Sequence, residues 1–414
     1  MAILRPFRAV RPAKEYAAEV VSLPYDVMNR KEAAEMAAGK PYSYLHICRA
    51  EIDLPEQENP YDPSVYEKAK SNIAEFLEKG VFIREDKPAF YVYRQIMDGR
   101  VQTGLVGCAS IDDYQNDIIK KHELTRHEKE IDRINHFDIC NADTEPVFFT
   151  YKDNAELAAL LAEEVKREPE YDITDAQGVK HILWVVDDPA KCEQIETTIR
   201  EKIPYFYIAD GHHRSASAVN VGLKRRDEHP GYTGEEEFNF FMTVVFPDTD
   251  MAIFDYNRVV KDLNGNTEEE FLEKISEKFT VEKIEGAGPY CPEAVHTFGM
   301  YLKDGWYKLT AKEGTFDEAD PIASLDVSVL QENLLAPILG IGDPRSDKRI
   351  DFIGGIRGLG ELERRVKEDM TVAFALYPVS IAQLIAVADA GLLMPPKSTW
   401  FEPKLGSGLF IHEL

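Results

Sequence analysis

Between Tyr207 and Ala218 the chain reads YIADGHHRSASA: an apolar run ends in Asp210-Gly211, and two histidines and an arginine follow before small residues resume. The pattern predicts a strand over 205–209, a tight turn at Asp210-Gly211 and a helix beginning at His212. Three potential cations then sit at the positive end of a helix dipole, the end least favourable for them. An anion resolves the conflict. Unpaired N–H groups at a helix start, with a glycine that lets a ligand approach, make a phosphate cradle at Gly211. His212 and His213 add donors there, and Arg214 offers a bidentate fork. Asp210, negative beside a phosphate, suits a metal ligand or a base for an incoming hydroxyl. Alternatively, Asp210 caps the helix and the histidines are solvated, which leaves the His-His-Arg cluster without a reason.

A second constellation is IIKKHELTRHEKEIDRINHF. Read as part of a charged helix over 117–137, it places His122, Arg126, Lys129 and Arg133 on one face. Glu123 or His122 would supply a base or metal-binding group, and Arg126 or Lys129 would meet a second phosphate. A solvated helix stitched by Glu and Lys or Arg pairs is the alternative. His122 and His127 are five apart rather than four, which excludes the H-E-x-x-H zinc helix. Near the end, KSTWFEPKLGSG offers Lys397, Ser398, Thr399, Lys404 and Ser407 as phosphate or carboxylate donors, or else forms an exposed extension. In LPYDV, Pro24, Tyr25 and Asp26 shape a substrate pocket or an ordinary turn. GGIRGLGELERR, around Arg357, has its glycines in the reverse of the dinucleotide-binding order and reads as a connecting turn.

These residues need elements to hold them. Periodicity predicts a helix over SVYEKAKSNIAEFLEKG, a hairpin of AFYVYRQI and TGLVGCASI around Asp98-Gly99, and a strand PVFFTY. The middle then alternates: strand HILWVVDD, helix PAKCEQIETTIREK, strand YFYIAD, helix HHRSASAVNVGLKRR, and a further strand FNFFMTVVFP. That order implies an α/β or mixed α+β core. After about residue 262 come a polar helix, a hairpin around KDGWYKL, a long helix SLDVSVLQENLLAPILGI, and strands RIDFIGG and TVAFALYPV with helices after each. Three regions are expected: 1–100, 101–262 and 263–414.

With 414 residues, 44% hydrophobic and 10% aromatic, the chain can fill ordinary cores. A formal charge of -26 repels polyphosphate backbones and anionic membranes, so neither nucleic acid nor a membrane is an expected partner. Five scattered cysteines without a C-x-x-C pair argue against a zinc ribbon or a disulfide framework and fit reduced thiols. No signal-peptide pattern and no apolar run of about 20 residues is present, and a cytoplasmic location is expected.

The ADGHHR segment resembles the phosphate-binding signature of the ParB/sulfiredoxin superfamily, and within it most closely the free serine kinases, which carry a D-G-H-H-R run. Sulfiredoxins have a cysteine where Gly211 or His212 falls, so sulfur chemistry is not implied. Over most of its length, through LPYDV, KHELTRHEKEIDR, ADGHHRSASA and MPPKSTWFEPKLGSGLFIH, the chain resembles the prokaryotic family DUF1015. Where that pattern has a His-Arg pair after the strand at 251–255, this chain has Asn257-Arg258. The resemblance implies a ParB/sulfiredoxin-like core with family-specific flanks, and phosphoryl transfer to a small metabolite, free serine being the candidate, from ATP or ADP with Mg²⁺. Asp210, Glu123 and His122 would be catalytic, with Asp210 also on the metal. Gly211, His212, His213, Arg214, Arg126 and Lys129 would bind phosphates, and Lys397, Ser398, Thr399, Lys404, Arg258 and Asp26 would make secondary contacts. With water as acceptor the same site is a phosphatase, for example of phosphoserine. Without turnover it is a nucleotide-responsive regulatory protein.

Overall fold

A computed structural model describes the chain except residues 56–58, 60, 126 and 287. It divides into two compact units, Met1–Met251 with Pro403–Leu414, and Ala252–Glu402. A change of unit falls at 252. At residue 100, by contrast, the chain is inside a tight hairpin. Asp98 and Gly99 both take positive φ (51° and 79°), the requirement of the two-residue turn that matches strand twist, and Met97 pairs with Arg100.

That hairpin, Phe90–Met97 with Arg100–Ser110, lies inside the main sheet of the first unit. The strands run in the order Ile119–Lys120, Phe206–Asp210, Val147–Tyr151, Phe240–Pro247, Arg100–Ser110, Phe90–Met97, Lys180–Val186 and Tyr171–Thr174, with Leu4–Arg5 also on Arg100–Ser110. Most neighbours are antiparallel. Only Phe206–Asp210 on Ile119–Lys120 and Val147–Tyr151 on Phe240–Pro247 are parallel. The fold is therefore mixed α/β rather than a regular parallel α/β sheet, although the strand and helix alternation is as the periodicity predicts. Helices Pro189–Lys202 and His212–Glu228 follow their strands as expected, and Phe149, Ile195, Ile199, Ile208, Val219, Phe241 and Val245 are buried together in one core.

The charged segment at 117–137 is not one helix. Ile119–Lys120 is drawn into the sheet as an edge strand, and the helix starts only at His127, running to Cys140. His122 and Glu123 consequently lie in a connection and do not share a helix face with Lys129 and Arg133. The physical reason is pairing: the backbone of 119–120 is satisfied by Phe206 and Tyr207, which periodicity along one segment does not register.

The C-terminal residues return to the first unit, where Ile411–Glu413 is a strand between Ala9–Pro12 and Ala142–Asp143. They are not an exposed extension. Gly408 takes φ +91, and a Cβ there would stand 2.6 Å from the Tyr44 ring, so the GSG run is required by close approach. Buried His412 places Nδ1 3.3 Å from Asp143 and Nε2 3.0 Å from Glu237.

The second unit carries an antiparallel sheet in the order Phe279–Lys283, Gly305–Ala311, Thr297–Leu302, Val372–Leu376, Tyr256–Val260 and Ile350–Gly354. The predicted long helix after residue 323 is shorter, Asp326–Leu330, and continues as π turns over Gln331–Leu335. Gly354 and Gly355 are packing residues rather than a phosphate loop: added Cβ atoms would meet the Trp400 ring at 2.7 Å and the Asp255 carboxylate at 2.0 Å.

His412 supplies a test of how the C-terminal strand is held. Burial works against charging the ring, and Cys108, Asp143 and Glu237 outweigh it, raising His412 well above its ordinary value. A raised histidine contributes stability that is fully present below about pH 6.5, the unfolded value, and is lost as pH rises through the folded value. His412→Leu should therefore cost about 3–5 kcal/mol in urea unfolding near pH 6, the penalty for stranding one partner of a buried pair. The gap to the parent protein should narrow as pH is raised, and a pH-independent gap would assign the loss to packing alone.

Candidate functional site

The predicted strand, turn and helix are present around Asp210. Strand Phe206–Asp210 pairs on both sides, and a register irregularity between Ile208 and Asp210 re-aims its end. Gly211 has φ 96° and ψ 31°, a left-handed conformation that L side chains rarely adopt. It also serves as N-cap of helix His212–Glu228, so Asp210 is left for another role. A Cβ at Gly211 would lie 3.2 Å from both Arg214 Nε and Val147 Cγ1, which shows how tightly the turn is backed. His213 is half-buried, while His212 and Arg214 are buried.

Asp210 is paired with Lys404, Nζ to Oδ2 at 3.1 Å, and its side chain keeps 28% exposure. Burial would raise the Asp210 carboxyl, but Lys404, Arg214 and His212 outweigh it and hold the group well below the usual carboxylate range. Asp210 is thus an ionised carboxylate at neutral pH, as a metal ligand must be, and a weaker proton acceptor than an ordinary aspartate. Lys404, expected among the anion donors of the tail, is engaged by this carboxylate. Of that tail set Ser407 shares its unit, while Lys397, Ser398 and Thr399, like Arg258, belong to the second unit. There the Ser398 hydroxyl donates to the Pro395 carbonyl at 2.6 Å and Arg258 Nη2 donates to the Lys397 carbonyl at 2.9 Å. Arg258 is buried, and burial lowers its value to about 10.

Arg214 does not present an open fork. Only 2% exposed, it donates through Nη1 to the Pro146 carbonyl at 2.7 Å. Burial opposes its charge, and Asp26, Asp210, Glu145 and Tyr25 restore it, leaving Arg214 raised. Its position among these groups makes it a counter-charge that fixes the turn. Glu145, 1% exposed, accepts from the Ser407 hydroxyl at 2.8 Å and from the Tyr25 amide at 3.2 Å, while its Oε2 has no hydrogen-bond partner. Burial raises the Glu145 carboxyl, with Arg214 and Arg133 opposing. Arg133 lies over the Tyr25 ring, 4.1 Å from its centroid. Sequence reasoning passed over Glu145 as a site member, and placed Arg133 in the basic stripe without giving it a role of its own. The one signal for Glu145 is its place directly before Pro146 and a largely apolar strand.

Tyr25 and Asp26 also line a cavity of about 270 Å³ together with Arg49, Glu51, Lys129, Asp132 and Arg133. LPYDV is therefore pocket wall as well as turn. Lys129 and Arg133 share a helix face as predicted, and Lys129 stays exposed. Arg126 lies outside the described residues.

His122 is brought to His212 from ninety positions away. The rings meet edge to face, 4.5 Å between centroids, and the His122 amide donates to His212 Nε2 at 3.4 Å. Burial lowers His122 to about 4, with Asp210 and the Ile208 backbone acting against it, and burial and His122 lower His212. Donor atoms of His122, Glu123 and His212 all lie within 4.8 Å of one another.

Residues 4–328 match the family described as "Protein of unknown function (DUF1015)", and the chain belongs to that family. No curated protein matches the chain. Among solved structures, a free serine kinase in complex with AMP is similar at TM-score 0.35 and 12% identity, covering 73% of this chain and 92% of that one. SbnI with a C-terminal truncation, from Staphylococcus aureus, is similar at TM-score 0.38 and 12% identity, covering 74% and 87%. A conserved hypothetical protein from Pyrococcus furiosus is similar at TM-score 0.34 and 12% identity, covering 73% and 95%. Among the described residues no helix is long and apolar enough to cross a membrane.

The Asp210–Lys404 pair is testable without a substrate. Lys404→Met removes a charged hydrogen bond from a carboxylate that still touches solvent, and should cost about 1–2 kcal/mol in denaturant unfolding. Combined with Asp210→Asn, the two losses should fall short of additivity by about 0.5 kcal/mol or more. Simple addition would show that the contact carries no coupling.

Proposed function

We propose that this protein is a phosphoryl-transfer enzyme, a Mg²⁺-assisted kinase that uses ATP or ADP to phosphorylate a small metabolite, with free serine the candidate acceptor, in the cytoplasm. The observation that carries this reading is an ionised Asp210 carboxylate next to a left-handed glycine and a helix start. A phosphate group suits the backbone N–H groups of that helix start and His213, and Asp210 orients or deprotonates the acceptor hydroxyl. A ParB/sulfiredoxin-like core fits the strand, glycine turn and helix over 206–228.

Mg²⁺ takes oxygen ligands and keeps several waters, so one carboxylate and the nucleotide's own phosphates are an adequate set. Asp210 would be that carboxylate, sharing its charge with Lys404. The nearby cavity supports a small zwitterionic acceptor, because its walls mix Asp26, Glu51 and Asp132 with Arg49, Lys129 and Arg133. Glu51 is paired with Arg49 at 2.7 Å and Asp132 with Arg133 at 2.9 Å, so an ammonium and a carboxylate would turn to Asp26 and Lys129.

The test is a turnover screen of purified protein with ATP or ADP, Mg²⁺ and amino acids, read by mass spectrometry. Phosphoserine formation is the expected result. Asp210→Asn should lower turnover roughly 10²–10⁴-fold, the usual contribution of a general base, while Mg²⁺-free nucleotide binding holds or tightens. Wild-type turnover in that variant would remove Asp210 as the base. Phosphate release from phosphoserine without nucleotide would replace the kinase by a phosphatase.

A further inference from the structure

We propose that His122, Glu123 and His212 form a binding site for a divalent cation of the zinc class, a site independent of the Mg²⁺ that accompanies a nucleotide. Two imidazole nitrogens and one carboxylate oxygen are borderline donors of the kind preferred by zinc, cobalt or nickel, and are a poor match to the all-oxygen shell of Mg²⁺.

Three observations converge. His122 is 1% exposed, and apart from a weak contact with the Ile208 backbone neither of its ring nitrogens makes a hydrogen bond of good geometry. An unpaired buried polar group is costly, so one in a native fold calls for a partner. The second observation is convergence: the donor atoms of the three residues lie within 4.8 Å of one another. Around a tetrahedral ion with bonds of about 2.0–2.1 Å the ligand atoms are roughly 3.3 Å apart, so small side-chain adjustments close the set. Third, His212 Nε2 accepts only a long hydrogen bond, 3.4 Å, from the His122 amide, a contact that its single lone pair gives up when it binds the ion. The perpendicular rings allow two nitrogens to address one point without stacking.

Charge favours the same reading. Glu123 supplies one negative charge, and Asp210 acts electrostatically on both imidazoles. Three protein donors leave a coordination position open, as in zinc sites that exchange water for a ligand oxygen. The three residues come from the connection before helix His127–Cys140 and from the first position of helix His212–Glu228. A bound cation would therefore clamp that connection to the glycine turn.

The proposal stands apart from the phosphoryl-transfer reading and is tested without nucleotide. Full-length protein is stripped with a chelator, given Zn²⁺ or Co²⁺ alone, dialysed and assayed for metal. We expect retention of one equivalent, a visible cobalt absorption, and an X-ray absorption spectrum with imidazole shells. Mg²⁺ in large excess should not displace the ion. Glu123→Gln and His212→Asn should each weaken retention roughly tenfold or more. Absence of retained metal, an oxygen-only shell, or unchanged retention in folded His212→Asn would overturn the site. Should the variants fail to fold, the absorption spectrum of the wild-type protein decides by itself. Nucleotide affinity measured on the same stripped protein separates failure of this site from failure of the kinase reading.

Discussion

Charge buried at the end of one strand is the constraint around which the first unit is arranged. Asp210 closes strand Phe206–Asp210, and its carboxylate, 28% exposed, is held well below the usual carboxylate range chiefly by Lys404 and Arg214. Without those partners a half-buried charge would lose part of its stabilisation. Each partner brings its own obligations. Lys404 requires the chain's last residues to return to the sheet, and Arg214 requires Glu145 and Asp26 as counter-charges. Glu145 in turn is met by Ser407 and the Tyr25 amide. Residues from the N-terminal turn, the centre and the C-terminus therefore depend on one network.

This arrangement accounts for the sequence around Ser407. Lys404 serves Asp210, the Lys404 carbonyl accepts from Gln95 at 2.7 Å, the Gly406 amide donates to the Tyr93 hydroxyl at 3.2 Å, and Ser407 serves Glu145. Gly406 has no room for a side chain, since a Cβ there would stand 2.9 Å from Val21 and 3.1 Å from His181. A polar, glycine-rich segment that reads like a loose tail is in fact threaded through the interior of its unit. Its small and polar residues are there because the groups that receive them are buried.

Local features were legible because they are short-range. The Asp98-Gly99 hairpin, the strand and helix alternation from 180 to 247, and the strand, glycine and helix at 206–228 all follow from backbone conformational preference and apolar spacing. Misreadings occurred where distant backbone or charge intervened. Residues 119–120 left the predicted helix for a strand, because Phe206 and Tyr207 offered pairing. Arg214 turned inward, because Glu145, Asp26 and Asp210 wait behind the turn.

By itself the sequence determined the family pattern, the elements, and the presence of a carboxylate, a left-handed glycine and basic residues at a helix start. Which of those charges face a ligand and which neutralise one another was decided only by the tertiary structure. His122 and His212 became neighbours, Lys404 found Asp210, and the donors of the tail were divided between two units. The physical reason is range. Backbone preferences act over a few residues and leave a trace in spacing. Pairing of buried charges acts between groups close in space, whatever their separation along the chain.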